Sequence, residues 1–310
     1  MITVAGFNTS IDKLIELDVL QPGAVQRARS VQSFPGGKGL HVAQTIAALG
    51  EPVRLVGLID ACNHAWFRSL LRQRGVEFVG VEIAAPIRTC LALRERDGRM
   101  TEVLESGPTV DALIRSELVE TFRECAADAQ LVVLSGSLPP GCGDDTYAQL
   151  VQITQRTGQR ALVDTSGEAL RQAIAARPFA IKPNRDEAAA LAGYVIDDVD
   201  AAIRAAQDFA ARGVAMPVIS LGAAGALALN EQGIALQASV PSIAAVNAVG
   251  SGDCFIAGMA VAIARGEPLE VALRLGIACG AANAMSQETG FVQRDDVDAL
   301  LPRIDIEVLQ

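Results

Sequence analysis

Val246-Asn247-Ala248-Val249-Gly250-Ser251-Gly252-Asp253-Cys254-Phe255-Ile256-Ala257-Gly258 joins an extended apolar approach to an apolar helix through a glycine turn. The run before it, Ala235 to Val246, is apolar and β-branched with one proline. The run after it, Phe255 to Ala264, is apolar and of helix length. The two glycines let the backbone turn tightly and come close to a ligand. At a helix start, free N–H groups and the positive end of the dipole face whatever docks there, so an anion is the expected guest. Asp253 stands in the first turn. A carboxylate beside an anion hole repels a resting anion. It makes chemical sense as the acceptor of a proton from a nucleophile that then attacks the anion. An ordinary acidic first-turn residue would give the same local pattern.

Strand and helix alternate through the rest of the chain. Residues 2–7, 53–58, 131–134, 161–163, 179–181, 218–221 and 226–229 read as strands. Residues 39–49, 64–74, 111–125, 144–157, 198–212, 252–265, 268–286 and 294–301 read as helices. Short continuous apolar strands between helices predict an α/β fold with a mostly parallel central sheet buried on both faces. Residues 13–34 and 88–105 break the pattern; the second is a hairpin with Asp97-Gly98 at its turn. They predict a small β-sheet lid inserted in one domain spanning 1–310.

Composition narrows the function. A net charge of −10 argues against nucleic-acid or anionic-membrane partners. No apolar run reaches the length of a membrane span. Met1 to Phe7 lacks the basic start and long apolar core of a signal peptide. The six cysteines are widely spaced without a CxxC, so reduced thiols in a cytoplasmic protein are expected. His41 and His64 form no zinc-ligand spacing. An anionic small substrate would need a local cluster of positive groups, and lysine occurs only at positions 13, 38 and 182.

Four more loops follow strands or open helices, and in an open parallel sheet such loops meet at the carboxyl ends of the strands. Pro35-Gly36-Gly37-Lys38-Gly39 bares the backbone beside a lysine, but it is no Walker A loop, because Gly39 replaces the required Ser or Thr. Ser135-Gly136-Ser137-Leu138-Pro139-Pro140-Gly141 can expose a hydroxyl, and no histidine lies near it for hydrolase chemistry. Lys182-Pro183-Asn184-Arg185-Asp186-Glu187 has capping-box spacing from Asn184 to Glu187. Glu187 and Asp164 could also hold a hydrated cation near phosphates. Ser220-Leu221-Gly222-Ala223-Ala224-Gly225-Ala226 is a glycine turn between strands.

Together with Asn8-x-x-x-Asp12, these motifs occur in an order that closely resembles the PfkB, or ribokinase-like, family of carbohydrate kinases over nearly the whole length. Arg88-Thr89-Cys90, Thr101 to Pro108 and Lys38 make it most similar to the hexose-phosphate branch, the tagatose-6-phosphate kinases and 1-phosphofructokinases. The resemblance implies a ribokinase-like three-layer α/β sandwich with a small β-sheet lid. It implies ATP- and Mg²⁺-dependent phosphoryl transfer to a ketohexose monophosphate, with a possible homodimer through the lid. A kinase for an unphosphorylated sugar or nucleoside is the alternative. By resemblance, Asp253 is the base, and Gly250, Ser251 and Gly252 belong to the anion hole. Asp12, Gly36, Gly37 and Ser137 line the sugar site, while Arg27, Lys38 and Arg88 hold the sugar's phosphate. Lys182, Asn184, Glu187, Ser220, Gly222, Gly225, Gly280 and Asn283 serve the nucleotide, and Asp164, Asn184 and Glu187 serve the metal. His41 stands where this branch usually carries Asn, which leaves the choice of sugar open.

Overall fold

The apolar runs ending at residues 5, 135, 164 and 220 become strands of one sheet in a computed structural model that describes residues 1–309. In chain order the strands are β1 (Ile2–Ala5), β2 (Ser10–Glu16), β3 (Ser30–Gly36), β4 (Val53–Asp60), β5 (Val76–Ile83), β6 (Arg88–Arg94) and β7 (Met100–Leu104). They continue with β8 (Leu131–Ser135), β9 (Arg160–Asp164), β10 (Ala180–Ile181), β11 (Met216–Ser220), β12 (Ala226–Leu229), β13 (Ala235–Ala238) and β14 (Ile306–Leu309). The helices are α1 (Lys38–Ala48), α2 (Ala61–Gln73), α3 (Ala112–Ala126), α4 (Thr146–Arg156) and α5 (Gly167–Ala175). After these come α6 (Arg185–Ala192), α7 (Val199–Ala211), α8 (Ser251–Ala264), α9 (Leu269–Met285) and α10 (Arg294–Leu300).

The large sheet has the order β14-β13-β12-β11-β10-β9-β8-β1-β4-β5. From β11 to β5 every pairing is parallel. The strands from β12 to β14 close one edge in antiparallel fashion. The chain runs outward from β1 through β4 to β5, then returns to the other side of β1 with β8. The order therefore reverses between β1 and β8, and the loops leaving their carboxyl ends diverge to open a crevice. Val4, Ala5, Leu55, Val132, Val133 and Leu162 are wholly buried, each aliphatic of Val or Leu size stabilising the fold by about 1.5–3 kcal/mol. Helix α8 is buried from Asp253 to Ile263 and packs between α1 and α9, as an all-round apolar helix must. Helices α4 and α5 pack against the β8 and β9 region, and α3 packs on α4 and against β4, β5 and β1.

The second sheet has the order β3-β2-β6-β7. Its centre is a parallel pair, β2 with β6, in which Ser10 opposes Arg88 and Asp12 opposes Cys90. The outer pairs are antiparallel. The first lid segment thus begins at Ser10 and ends at Gly36, wider than residues 13–34, while the hairpin stays within 88–105. Within the apolar run from Ala235 to Val246 only Ala235–Ala238 forms a strand, and Pro241, which cannot donate to a ladder, lies in the irregular stretch beyond.

Candidate active site

Loops at the carboxyl ends of β8, β9, β10 and β11 meet the start of α8 and the lid around a cavity of about 450 Å³. Asp12, Gly37, Lys38, His41, Arg88, Ser137, Asp164, Lys182, Asn184, Glu187, Ser220, Gly250, Gly252 and Asp253 all line it. So do all three lysines of a chain whose net charge is −10.

The start of α8 fits an anion. Gly250 takes a left-handed conformation at φ 82°, and no side chain caps the helix. The turn is braced from below. The buried Asn283 amide donates to Val249 O at 2.8 Å and Ser251 Oγ at 3.0 Å. Asn247 Oδ1 accepts from Val249 N at 3.0 Å. Lys182 Nζ lies so near Gly252 that a Cβ built there would stand 3.4 Å from it. Asp253, 5 % exposed, presents its carboxylate to the same space.

That carboxylate is held by His41. Nδ1 of His41 lies 2.9 Å from Asp253 Oδ2, and Nε2 lies 3.2 Å from Asp12 Oδ2. Asp12 Oδ1 accepts the Ser10 hydroxyl at 2.6 Å. Burial works against the charged imidazole, but hydrogen bonds and charges from Asp12 and Asp253 reverse that and raise its pKa to about 10. Burial likewise opposes ionisation of Asp12, and His41, Ser10 and Arg88 outweigh it, leaving the carboxyl below its ordinary value. Asp12 lies directly over Gly36, where a Cβ would stand 2.0 Å from its Cγ. Glycine at 36 is therefore room for a carboxylate rather than a phosphate cradle.

Arg88 reaches from β6 to Asn8 O, at 2.9 Å from Nη2, and to Glu105 O at 3.2 Å. The Asn8 amide in turn donates to Ser137 Oγ at 3.1 Å, so lid, first strand and serine loop meet at one point. Lys38 is raised above its ordinary pKa, first by Asp164 and then, against burial, by Asp253 and Glu187. On the β9 to β11 side, Lys182 Nζ pairs with Asp164 Oδ1 at 3.1 Å, both side chains nearly buried. The other oxygen, Asp164 Oδ2, is buried without a hydrogen-bond partner. Asn184 and Glu187 form a complete capping box for α6, each side chain accepting from the other's backbone N–H at 2.9 Å. The amide oxygen of Asn184 is thereby engaged in the helix cap.

Several expected residues stand away from the cavity wall. Arg27 is exposed in the loop between β2 and β3 and does not line the cavity. Its loop projects into solvent, so this single chain does not bring it to Lys38 and Arg88. Gly222 and Gly225 form the β11–β12 turn; a Cβ at Gly225 would stand 1.8 Å from Ala238 O. Gly280 packs α9 against Ser251 O, and Asn283 braces the turn from beneath. Three contributors carried no sequence signal as site residues. Glu102 on β7 lines the cavity, and burial, with the charges of Asp12 and Asp253, raises its pKa. Ser10 fixes Asp12, and the loop with Glu288 and Thr289 forms a wall.

The comparisons agree with this geometry. The profile described as pfkB family carbohydrate kinase matches residues 6–295. The chain is 30 % identical over 313 residues to tagatose-6-phosphate kinase of Staphylococcus epidermidis, covering 99 % of each. It is 38 % identical over 261 residues to 1-phosphofructokinase of Xanthomonas campestris, covering 83 % of this chain and 82 % of that one. The structure of Escherichia coli phosphofructokinase-2 in complex with potassium superposes with a TM-score of 0.91 at 29 % identity, covering 97 % of this chain and 98 % of that one. With the motifs in order, the crevice where the fold places it and relatives matched along the chain, this protein belongs to the pfkB family of carbohydrate kinases.

Proposed function

We propose that this chain transfers the γ-phosphoryl group of ATP to a hydroxyl of a ketohexose monophosphate, tagatose 6-phosphate or fructose 1-phosphate, giving the bisphosphate. The observation that carries the reading is a buried carboxylate, Asp253, in the first turn of an uncapped helix, facing the same cavity as Lys38, Lys182 and Arg88. Such transfer needs in-line positioning and neutralised charge more than covalent chemistry. Asp253 accepts the proton of the attacking hydroxyl, and the backbone from Gly250 to Gly252 holds the charge of the transferring group. Asp12, Gly36, Gly37, His41 and Ser137 shape the sugar side. Lys38 and Arg88 hold the sugar's phosphate. Lys182, Asn184, Glu187 and Ser220 serve the nucleotide side, and the lid excludes water.

The residues present fit a hydrated Mg²⁺. Among the described residues no three His, Cys, Asp or Glu side chains form a metal cage, and Mg²⁺ keeps several waters and needs few carboxylates. The unpartnered Asp164 Oδ2 and the carboxylate of Glu187 would hold it. When bound, it neutralises phosphate charge.

The same reading makes the chain one kinase domain with an inserted lid, cytoplasmic in keeping with its free cysteines. It also pairs two copies through the lid, where Val31, Val103 and Leu104 are exposed on the outer strands. Mass measurement across a dilution series tests the pairing. The activity is tested by ADP release over fructose 1-phosphate, tagatose 6-phosphate, fructose 6-phosphate and free hexoses. Turnover of a ketohexose monophosphate supports the proposal; turnover of free hexoses alone overturns it.

A further inference from the structure

The three groups at the heart of the site come from three parts of the fold. Asp12 lies on lid strand β2, His41 on α1 and Asp253 on α8. Both ring nitrogens of His41 point at carboxylate oxygens, at 2.9 and 3.2 Å. An ionised carboxylate only accepts hydrogen bonds, and a neutral imidazole has one donor. Two ionised acceptors therefore require the imidazolium. The ring cannot move aside. A Cβ at Gly290 would stand 2.1 Å from His41 Cγ, so the Gly290 backbone is packed on the ring face, and Gln44 ties the Gly290 carbonyl to α1.

We propose that His41, as a doubly donating imidazolium, is a positioning residue for phosphoryl transfer: it fixes Asp253 by Oδ2 and leaves Oδ1 to meet the substrate hydroxyl. The proposal rests on the reading of Asp253 as the base. The bridge fixes the carboxylate's rotamer before substrate arrives, and it offsets one of the two negative charges beside an anionic substrate. The other charged groups around the ring are Lys38 on its own helix, Arg88 on β6 and Glu102 on β7. None of these replaces the bridge, because neither nitrogen has a partner besides the two aspartates.

The test has two arms. The chain has only two histidines, so ring-nitrogen NMR of ¹⁵N-labelled protein shows two imidazoles, and His41→Asn assigns the one that disappears. At about pH 8.5, two units above an ordinary imidazole, both His41 nitrogens should carry protons. An unprotonated His41 nitrogen at that pH overturns the bridge. In the kinetic arm, His41→Leu, which removes both donors, should lower kcat for the sugar phosphate roughly 10- to 100-fold, as a misplaced catalytic group does. KM for ATP should stay within about twofold. Unchanged kcat with a doubly protonated wild-type ring overturns the positioning role. The NMR arm reads the bridge whether or not the sugar panel yields a substrate, so failure of the kinase reading is distinguishable from failure of this one.

Discussion

Raising the pH from about 7 to about 10 titrates the proton that His41 shares between Asp12 and Asp253, and stability should fall with it. The imidazole has a pKa of about 10 in the fold against 6.5 free. A pKa raised on folding contributes stability that is fully present below the unfolded value and is lost as pH rises through the folded value. At 1.36 kcal/mol per unit, the contribution is about 4 kcal/mol at pH 7 and under about 1 kcal/mol at pH 10. His41 is 7 % exposed, so solvent screening removes little of this. The assay is urea unfolding at both pH values, read by linear extrapolation, on wild type and His41→Asn. Lys38 and the other groups titrate in both proteins, so the difference between the two pH dependences isolates His41. Wild type should lose about 3–4 kcal/mol more than the variant over this range. Equal losses in the two proteins would refute the charged bridge, whatever the absolute stability of either.

Other substitutions probe the site from different sides. Asp253→Asn should lose about 100-fold or more in kcat, with ATP binding by calorimetry nearly unchanged; turnover near wild type would remove Asp253 from the base role. Arg88→Ala should raise KM for the sugar phosphate about 10- to 100-fold, the worth of charged hydrogen bonds, and far more than KM for ATP; parallel changes would detach Arg88 from the sugar's phosphate. Lys182→Met removes the hydrogen-bonded partner of the buried Asp164 and leaves it only the more distant charge of Lys38, so thermal and urea unfolding should show a loss of up to about 3–5 kcal/mol. Gly36→Ala puts a methyl 2.0 Å from Asp12 Cγ. The aspartate can yield only by leaving His41 and Ser10, so the melting temperature should fall and the sugar KM rise together; an unchanged melting temperature would contradict that account.

The sheet was legible where strands are buried on both faces. β1, β8, β9 and β11 have short apolar runs at their centres bounded by turn residues. Elements that depend on context were not. β5 lies at the sheet edge and alternates Val and Phe with Glu, so it reads as neither a buried run nor a helix. β14 finds its partner 74 residues away at the far end of its register, Ala235 with Leu309. Helices α5 and α6 are short and alanine-rich, and only the cap at Asn184 announced one of them. The two β excursions were visible, but not the parallel pairing of β2 with β6, which sets Asp12 and Arg88 on neighbouring strands. Within the site, residue types revealed Asp253 and its glycines, since a helix start shows in local sequence. The contact that defines His41 joins residues 212 positions apart. No local pattern encodes it.

That separation has a consequence for how the protein comes into being. Long-range contacts are made late, because the entropy of closing the intervening chain must be overcome first. The sugar-side groups leave the ribosome first; the carboxylate they serve follows 212 residues behind His41, with the turn that holds the phosphoryl group and the Gly290 wall in the same later stretch. A nascent chain can assemble β1, α1 and the lid sheet, yet it holds no complete apparatus for splitting ATP until α8 slides in between α1 and the arriving α9. Phosphoryl chemistry thus becomes available only once α8 and the Gly290 wall are in place, where a sugar site already stands ready to receive the group.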